Sequence, residues 1–339
     1  MTIRAVASEA GVSISTVSNV VSGRHHQMKP ETRERVLAAM AKLNYRPNRV
    51  ARSLVTSRSA TIGMVVGEIT NSLYPPVTIG AEAACREAGY SLVLASASSA
   101  DAERTCVELM RSQQVEALIL FSISFRDAES DFLHQTDREG TPVVTLNRWL
   151  PDDSPLSAVW FDNRSGAWRA TRHLIELGHR RIAHIAGPAH RLTGIQRRAG
   201  YEQALTETGL SIDSTLTKVG DYSFDSGEAL MTEIWRERPT AVFVGGDVMA
   251  LGAYRALVRL GVTVPGDVSL VAFGNPDAVR FSTPALTTID LPVAAAGRAA
   301  VELALERIRT RDAKEVRTLQ PALVVRETTG PPPVTLSAA

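Results

Sequence analysis

Apolar residues recur at helical spacing from the start of the chain. In residues 3–10 they fall at intervals of three and four, which predicts a short helix with one apolar face, formed by Ile3, Val6, Ala7 and Ala10. Gly11 follows, where a helix end favours a residue that tolerates a left-handed conformation. Ser13 can then cap a second helix through its hydroxyl. The pattern therefore predicts two short helices joined by a tight turn.

The second helix carries two unlike faces. Val17, Val20 and Val21 point to one side, while short polar residues occupy the opposite side at i, i+3, i+4 and i+7: Ser15, Ser18, Asn19 and Ser22. Such side chains bond base edges without crowding the approach, so this stripe is typical of a helix in the DNA major groove. The alternative is a small helical hairpin with a polar face.

Residues 30–54 extend this N-terminal region. A third helix begins at Pro30, and its apolar stripe comprises Val36, Leu37, Met40 and Leu43. Asn48 can cap a further helix of about two turns that includes Leu54. A helix this short is not stable alone. It is either a solvated linker or a segment that folds on binding DNA, with Leu54 as a wedge in the minor groove.

From residue 60 the pattern changes to alternating strands and helices. The predicted strands are 61–66, 91–95, 117–121, 143–146, 181–185, 241–244 and 269–273. The predicted helices between and after them include 77–88, 102–112, 194–208, 250–260 and 293–309. This order predicts parallel sheets covered on both faces. Because the series runs twice, we expect two lobes, with a ligand in the cleft between them, beyond the carboxyl ends of the strands.

The charge is distributed unevenly along the chain. Residues 1–60 hold ten Lys/Arg and three Asp/Glu, whereas the remainder holds 27 Lys/Arg and 33 Asp/Glu. The net charge is therefore +7 in the first part and −6 in the second. A basic head on an acidic body indicates a polyanion that contacts the head alone.

Composition and motifs exclude several classes. The 339 residues are 44% hydrophobic, yet no apolar run reaches membrane-spanning length and no secretory signal opens the chain, so we expect a cytosolic protein.

Cys85 and Cys106 lack metal-ligand spacing, and we expect both to be reduced and buried. His25 and His26 are sequence neighbours, which cannot easily bind one ion. No enzyme motif is present, and His179 fits a packing role better than a catalytic one. We expect neither a metal nor another cofactor.

Two long segments carry a resemblance to a known family. The run TIRAVASEAGVSISTVSNVVSG, followed by PETRERVLAAMAKLNYRPNRVARSL, resembles the head and hinge helix of the lactose-repressor (LacI/GalR) family of bacterial transcription regulators. The segments GHRRIAHIAGP, PTAVFVGGDVMALGAYRAL and FSTPALTTI resemble the sugar-binding-protein core of that family, in the same order.

The resemblance implies a domain plan. It places an N-terminal all-α helix-turn-helix head in residues 1–46 and a hinge helix and linker in 47–60. An α/β two-lobed core, periplasmic-binding-protein-like of type I, would follow in 61–339. Lobe 1 would comprise residues 61–160 and 292–320, and lobe 2 residues 163–290 and 322–330.

The same resemblance assigns two sets of site residues. The set expected to contact DNA is Ile14, Ser15, Thr16, Asn19, Ser22, Arg24, His25, Tyr45, Asn48, Arg49, Ala51 and Leu54. The set expected to contact a small-molecule effector between the lobes is Leu73, Tyr74, Asn147, Phe161, Thr193, Arg197, Tyr222, Asp247 and Gly274. The chemistry of the second set fits a small polar ring, because aromatics stack on it and Arg197 can fork two hydrogen bonds.

Two positions depart from the family pattern. Asn147 and Gly274 stand where relatives often carry Asp. Fewer carboxylates beside a retained Arg197 favour an anionic effector, so we expect a sugar acid rather than a neutral sugar.

The sequence therefore predicts a homodimeric, sequence-specific transcriptional regulator, with repression as the family's common mode. Its partners would be double-stranded operator DNA and the effector, with no membrane. A solute-binding protein for transport is the alternative that uses the same core, but it would need a signal peptide and no basic head. A metabolic enzyme with an accessory DNA-binding head would need a catalytic constellation in the cleft.

Overall fold

A computed structural model describes residues 2–21, 28–45, 58–67, 69, 71–121, 128–148, 150–151 and 153–333. The chain forms two compact units, residues 1–60 and 61–339. Each is described by itself below, and they are called the head and the core.

Three helices make up the described part of the head. They are Ile3–Ala10 (α1), Ile14–Val21 (α2) and Pro30–Lys42 (α3). Gly11 adopts the left-handed conformation at φ 60°, and the backbone N–H of Thr16 donates to the Ser13 hydroxyl at 3.1 Å. Both features were predicted, and together they set the tight turn between α1 and α2.

The apolar faces of the three helices meet in one small core. Val6, Val17 and Val36 are fully buried at its centre. The expected stripe of α3 needs one correction, because Leu37 is 42% exposed and Ala39 is buried in its place. Position 39 therefore faces the apolar core of the head, and position 37 faces solvent.

The described residues of the core form twelve strands. They are Thr61–Val66 (β1), Ser91–Ser96 (β2), Ala117–Phe121 (β3), Val143–Leu146 (β4), Ser157–Phe161 (β5), Ile182–Ala186 (β6), Thr217–Val219 (β7), Ala241–Val244 (β8), Ser269–Phe273 (β9), Thr287–Asp290 (β10), Val316–Leu319 (β11) and Ala322–Val324 (β12). The α-helices of the core are Tyr74–Glu87, Ala100–Ser112, Ala128–Arg138, Asn163–Glu176, Leu192–Glu207, Phe224–Ile234, Asp247–Arg259, Asp277–Arg280 and Val293–Arg309.

These strands form two six-stranded sheets, and each sheet is the centre of one lobe. The sheet of lobe 1 has the order β11-β5-β4-β3-β1-β2 and is parallel throughout. The sheet of lobe 2 has the order β12-β10-β9-β8-β6-β7, in which only β12 runs antiparallel to its neighbour. The chain passes between the lobes after β5, after β10 and after β11. The predicted fold class is confirmed.

Two buried ion pairs brace lobe 1. Arg148 donates to Glu103 at 2.6 Å, and Arg307 donates to both carboxylate oxygens of Asp137 at 2.9 and 2.8 Å. All four side chains are nine-tenths or more buried. Losing one partner of either pair would leave a buried charge uncompensated, which is strongly destabilising.

His179 ties the C-terminal segment to lobe 2. Its ring nitrogens lie 3.0 Å from the Thr240 hydroxyl and 2.9 Å from the carbonyl oxygen of Gly330. Burial lowers the pKa of His179, so the neutral ring is the form that is favoured there. The predicted packing role of this histidine is thus confirmed.

The two cysteines are both free. Cys85 is buried, and burial raises its pKa to about 11, which makes it a poor nucleophile. Cys106 was expected to be buried as well, but it is partly exposed at the edge of the helix Ala100–Ser112. Among the described residues, no helix is both long enough and apolar enough to cross a membrane.

Candidate functional site

The exposed face of α2 is the candidate reading surface of the head. Ile14 is 45% exposed, and Ser15 and Asn19 are also exposed. Thr16 is half-buried, and its hydroxyl lies 2.8 Å from the Ser13 hydroxyl. The helix therefore presents an apolar side chain, a hydroxyl and an amide side by side, a mixture suited to thymine methyl groups and to donor and acceptor atoms on base edges.

The remaining predicted DNA contacts divide into two groups. Tyr45 is half-buried and packs against the apolar core of the head. The others lie outside the described residues, namely Ser22, Arg24, His25, Asn48, Arg49, Ala51 and Leu54.

Two adjoining cavities occupy the cleft between the lobes of the core. One, of about 120 Å³, is lined by seven of the nine predicted effector contacts: Leu73, Tyr74, Asn147, Thr193, Arg197, Tyr222 and Asp247. The other, of about 100 Å³, is lined by Gly274 and shares Leu73, Arg197 and Asp247 with the first. The structure therefore brings eight of the nine residues to one place.

Arg197 forms the polar centre of this cleft. Its Nε and Nη2 donate to the Asn163 side-chain oxygen at 3.0 and 2.9 Å, and its Nη1 donates to the Gly245 carbonyl at 2.7 Å. The guanidinium also stacks on the Phe273 ring, with its central carbon 3.8 Å from the ring centroid. Burial lowers the pKa of Arg197, whereas Tyr222 and Asp247 raise it. None of its described hydrogen bonds reaches a carboxylate, and two of its five N–H donors remain for a ligand.

Asn163 extends the contacts of Arg197 into lobe 1. Its amide nitrogen donates to the Asn147 side-chain oxygen at 3.2 Å and to the Phe161 carbonyl at 3.1 Å. Asn147, Asn163 and Arg197 thus form a continuous chain of hydrogen bonds from one lobe to the other. Asn163 was not among the predicted site residues, because nothing in its local sequence separates it from an ordinary residue of a helix N-terminus.

A second polar contact joins the lobes directly. The Ser72 hydroxyl donates to Asp247 Oδ2 at 2.7 Å. Ser72 belongs to lobe 1, and Asp247 begins the helix Asp247–Arg259 of lobe 2. Ser72 was not predicted either, although it precedes the predicted contact Leu73 in the chain.

Aromatic side chains form the walls of the cleft. Tyr74 packs edge-on against Phe121, with ring centroids 4.9 Å apart. The Tyr222 hydroxyl lies 2.8 Å from that of Thr193, and Arg191 lies over the Tyr222 ring at 5.9 Å. Flat apolar faces beside hydroxyls and a guanidinium are suited to a small, hydroxyl-rich ring.

Backbone geometry explains why glycine occupies position 274. Gly274 has φ 109°, and an added Cβ would lie 3.1 Å from the Asp247 carboxyl carbon. An aspartate in this conformation would be strained and would place a second carboxylate against the first. Position 274 therefore adds no carboxylate to those of Asp247 and Asp290, which line the same cavity.

Phe161 is the predicted effector contact that lies apart from the others. It is 2% exposed and lines a separate, larger cavity beside β5. Leu192 lines that cavity and the 120 Å³ cavity, so the two adjoin there.

Comparisons with known proteins cover both units of the chain. The family model described as bacterial regulatory proteins, lacI family, matches residues 2–48, and that of a periplasmic binding protein-like domain matches residues 171–329. The HTH-type transcriptional regulator CelR of Thermobifida fusca is 37% identical over 96% of this chain and 97% of its own. The HTH-type transcriptional repressor PurR of Erwinia tasmaniensis is 35% identical over 96% of each chain.

Solved structures agree with the sequence relatives. The lac repressor dimer bound to operator and the anti-inducer ONPF superimposes with a TM-score of 0.86, at 31% identity, over 97% of this chain and 99% of its own. A complex of the transcriptional regulator CelR with cellobiose gives a TM-score of 0.75, at 34% identity, over 97% of this chain and 100% of its own. With a helix-turn-helix head, a two-lobed core and full-length relatives of this kind, the chain belongs to the lacI family of bacterial regulatory proteins and is a DNA-binding transcriptional regulator rather than an enzyme or a transport protein.

Proposed function

We propose that two copies of this chain bind a near-palindromic operator and that a small molecule in the cleft of the core controls their affinity for it. The exposed face of α2 would read base edges through Ile14, Ser15 and Asn19, with Thr16 beside them. The basic residues of the head would supply contacts to phosphates, so operator binding should weaken steeply with salt. Repression is the proposed output, and the cytoplasm, at the nucleoid while bound, is the proposed place of action.

The remaining predicted DNA contacts complete this proposal. Hydrogen bonds to phosphate groups would come from Arg24, His25 and Arg49. Leu54 would be the apolar wedge that bends the operator at its minor groove. Tyr45, Asn48, Ala51 and Ser22 would border the same DNA surface.

The proposed effector is a sugar or a sugar acid, and the contacts of Arg197 are the observation that supports this best. The described hydrogen bonds of this buried guanidinium all go to neutral oxygens, which leaves it able to pair with an anionic ligand group. Asn147 and Gly274 add no negative charge, and the Asp247 carboxylate already accepts from Ser72. A ligand carboxylate would pair with the two remaining donors of Arg197, while its hydroxyls would meet Asn147, Thr193 and Asp247.

The polar contacts between the lobes provide a route from effector to DNA. The Ser72–Asp247 hydrogen bond and the Asn147–Asn163–Arg197 chain hold one arrangement of the two lobes. A ligand that competes for these groups favours or disfavours that arrangement by its differential affinity. If the head binds DNA with higher affinity in one arrangement of the lobes, effector and operator affect each other's binding reciprocally.

A titration with matched variants tests the assignment of the cleft. Full-length protein is titrated with gluconate and with glucose by calorimetry, as wild type, Arg197→Gln and Arg198→Gln. Arg198 is the neighbouring exposed arginine, paired with Glu202 at the surface, and serves as the control.

We expect gluconate to bind more tightly than glucose to the wild type and to Arg198→Gln. Arg197→Gln should lose at least about tenfold in affinity, because charge-assisted bonds to a buried guanidinium are lost. Tight binding of the neutral sugar alone would contradict the proposed sugar acid. Binding unaffected by Arg197→Gln would contradict the proposed site.

A further inference from the structure

One edge of the lobe 1 sheet is formed by β11, a strand of four residues that is open along one side. It pairs in parallel with β5, and no described strand pairs with its other side. Val316 is 51% exposed, and Glu315 and Thr318 are exposed as well. An unpaired strand edge offers a row of backbone donors and acceptors to another chain, so β11 is a candidate docking edge.

The hydrogen bonds to β5 show which backbone groups of β11 are directed to the open side. The N–H of Ala158 donates to the carbonyl oxygen of Glu315 at 3.0 Å. In a parallel pair, residues that bond to the neighbouring strand alternate with residues whose N–H and C=O point away from it. Val316 and Thr318 therefore present their backbone groups to the open side.

One face of β11 carries two charges of opposite sign. Arg317 donates from Nε to Glu315 Oε1 at 2.7 Å, and from Nη1 to Glu302 Oε2, on the helix Val293–Arg309, at 2.6 Å. Its Nη2 donates to Glu315 Oε2 at 3.1 Å, so two of the five guanidinium donors remain for a further carboxylate. Because the two charges differ in sign, they do not repel an incoming copy of the same strand.

Antiparallel pairing of two copies around Val316 matches these charges. With Val316 opposite itself, Glu315 lies opposite Arg317 on both sides of the two-fold axis. Lys314 then lies opposite Thr318, so like charges do not meet. Opposite charges in directly opposed positions stabilise a strand pair, and like charges destabilise it. The two Val316 backbones, which both point outward, would exchange two hydrogen bonds in this register.

Neighbouring registers lack this match. Centred on Thr318, the pairing would place Arg317 opposite Leu319 and Glu315 opposite Pro321, which has no N–H to donate. A shift of one residue would oppose Val316 to Arg317, whose backbone already faces β5. The register centred on Val316 therefore satisfies the charges and the outward backbone groups together.

We infer that β11 is a contact surface for a second copy of this chain and that two copies pair antiparallel through it, with Val316 at the two-fold axis. The sheet of lobe 1 would continue from one copy into the other. The inference goes beyond the proposed function, because it uses neither the head nor the cleft. Interfaces below ~1,200 Å² are weak and transient, so association through this short edge is expected at about 10⁻⁵–10⁻³ M protein.

Two charge reversals that complement each other test the inference. Glu315→Arg leaves two arginines on the face of β11, and Arg317→Glu leaves two glutamates. Each variant alone would oppose like charges across the axis, whereas an equimolar mixture restores opposite charges at both contacts. Static light scattering of the full-length proteins, up to about 10⁻³ M, measures the association.

We expect the wild type to associate beyond the operator-binding dimer, and each single variant to associate at least about tenfold more weakly. The mixture of the two variants should recover the association of the wild type. Val316→Lys places like charges at the axis and should not associate, alone or in any mixture.

A second mixture controls for net charge. Arg198 and Glu202 form an exposed ion pair on the helix Leu192–Glu207, away from β11. Arg198→Glu and Glu202→Arg change the net charge by the same amounts as the two edge variants. Each of them alone, and their mixture, should associate as the wild type does.

Two results would overturn the inference. One is a wild type whose mass stays that of the dimer up to about 10⁻³ M. The other is a mixture of Glu315→Arg and Arg317→Glu that associates no better than either variant alone. Operator affinity is measured at high dilution and should be the same in all variants. Failure of the edge contact is therefore distinguishable from failure of the proposed function, in which no protein would bind the operator.

Discussion

At the scale of single residues, the cleft depends on polar side chains whose partners are distant in the sequence. The resemblance to a family assigned Arg197 and Asn147, and the structure brings both to the cleft. The resemblance did not assign Asn163, whose side chain is hydrogen-bonded to both Asn147 and Arg197. A hydrogen bond that spans many residues leaves no local pattern, whereas the aromatic and charged residues it connects stand out by their chemistry. Phe161 shows the converse, because its residue type did not reveal which of two adjoining cavities it would line.

His184 illustrates a buried group that titrates outside its usual range. Its ring lies between Tyr201 and Phe243, at centroid distances of 4.8 and 4.7 Å, and Nδ1 lies 2.9 Å from the Phe243 carbonyl oxygen. Burial lowers the pKa of His184 to about 4. The neutral ring therefore donates from Nδ1, while Nε2 has no partner among the described residues.

This pKa predicts a loss of stability in acid. As the pH falls from about 6.5 to about 4, His184 is protonated in the unfolded chain but stays neutral in the native state. The free energy of unfolding therefore falls, and this residue contributes ~3 kcal/mol to the decrease. Urea unfolding followed by circular dichroism between pH 7 and pH 4.5 measures the effect. His184→Phe should show a shallower pH dependence of stability. His190→Gln, at an exposed site, is the control and should keep the wild-type pH dependence. A His184→Phe variant with the full wild-type dependence would contradict the assignment.

At the scale of secondary structure, buried strands were predicted more closely than helix starts. Strands β1, β3 and β4 have the predicted bounds, because an apolar run between turn residues has sharp ends. The helix Tyr74–Glu87 begins three residues before the predicted start. Pro75 and Pro76 fall in its first turn, where a proline needs no partner for its missing N–H. Similarly, Asp247 begins its helix without a side-chain cap at the preceding residue.

The element that we propose to read the operator sequence is α2. Its exposed Asn19 has no described hydrogen bond within the head, so its amide is available to a base edge. Asn19→Ala should relax specificity at one position of each half-site by about 1–3 kcal/mol. Affinities for a panel of operators with single base changes measure this, with Ser8→Ala on α1 as an exposed control. A loss that is equal for all operator sequences would indicate a phosphate contact instead.

At the scale of the whole molecule, the alternation of strands and helices predicted the two-sheet core, because each parallel strand needs a crossover segment. The pairing of β12 antiparallel to β10 was not predicted, since a three-residue strand carries too few side chains to show a pattern. The burial of Arg148 and Arg307 could not be predicted either, because each charge is compensated by a residue far along the chain.

The surface of the core predicts where two copies meet. Phe281 and Ile79 are the most exposed large apolar side chains of the described residues, at 73% and 67%. Arg280, next to Phe281, and Pro75, on the helix that carries Ile79, line one open cavity, so the two positions belong to neighbouring elements. Exposed apolar side chains of this size indicate a protein interface.

Phe281→Asp should therefore convert the dimer to a monomer and lower operator affinity by about a hundredfold or more, because the second head no longer binds as part of the same particle. Sedimentation velocity and operator titration measure the two effects. Leu109→Asp, at a 58% exposed leucine on another helix, is the matched control and should stay dimeric. A dimeric Phe281→Asp variant would place the interface elsewhere.

We propose that effector binding in the cleft and operator binding by the head are thermodynamically linked, which calorimetry can test. The affinity of the cleft for its effector is determined by calorimetry with free protein and with protein saturated by its operator. We expect the two effector affinities to differ by the same factor by which the effector changes operator affinity. Equal effector affinity with and without operator would contradict it.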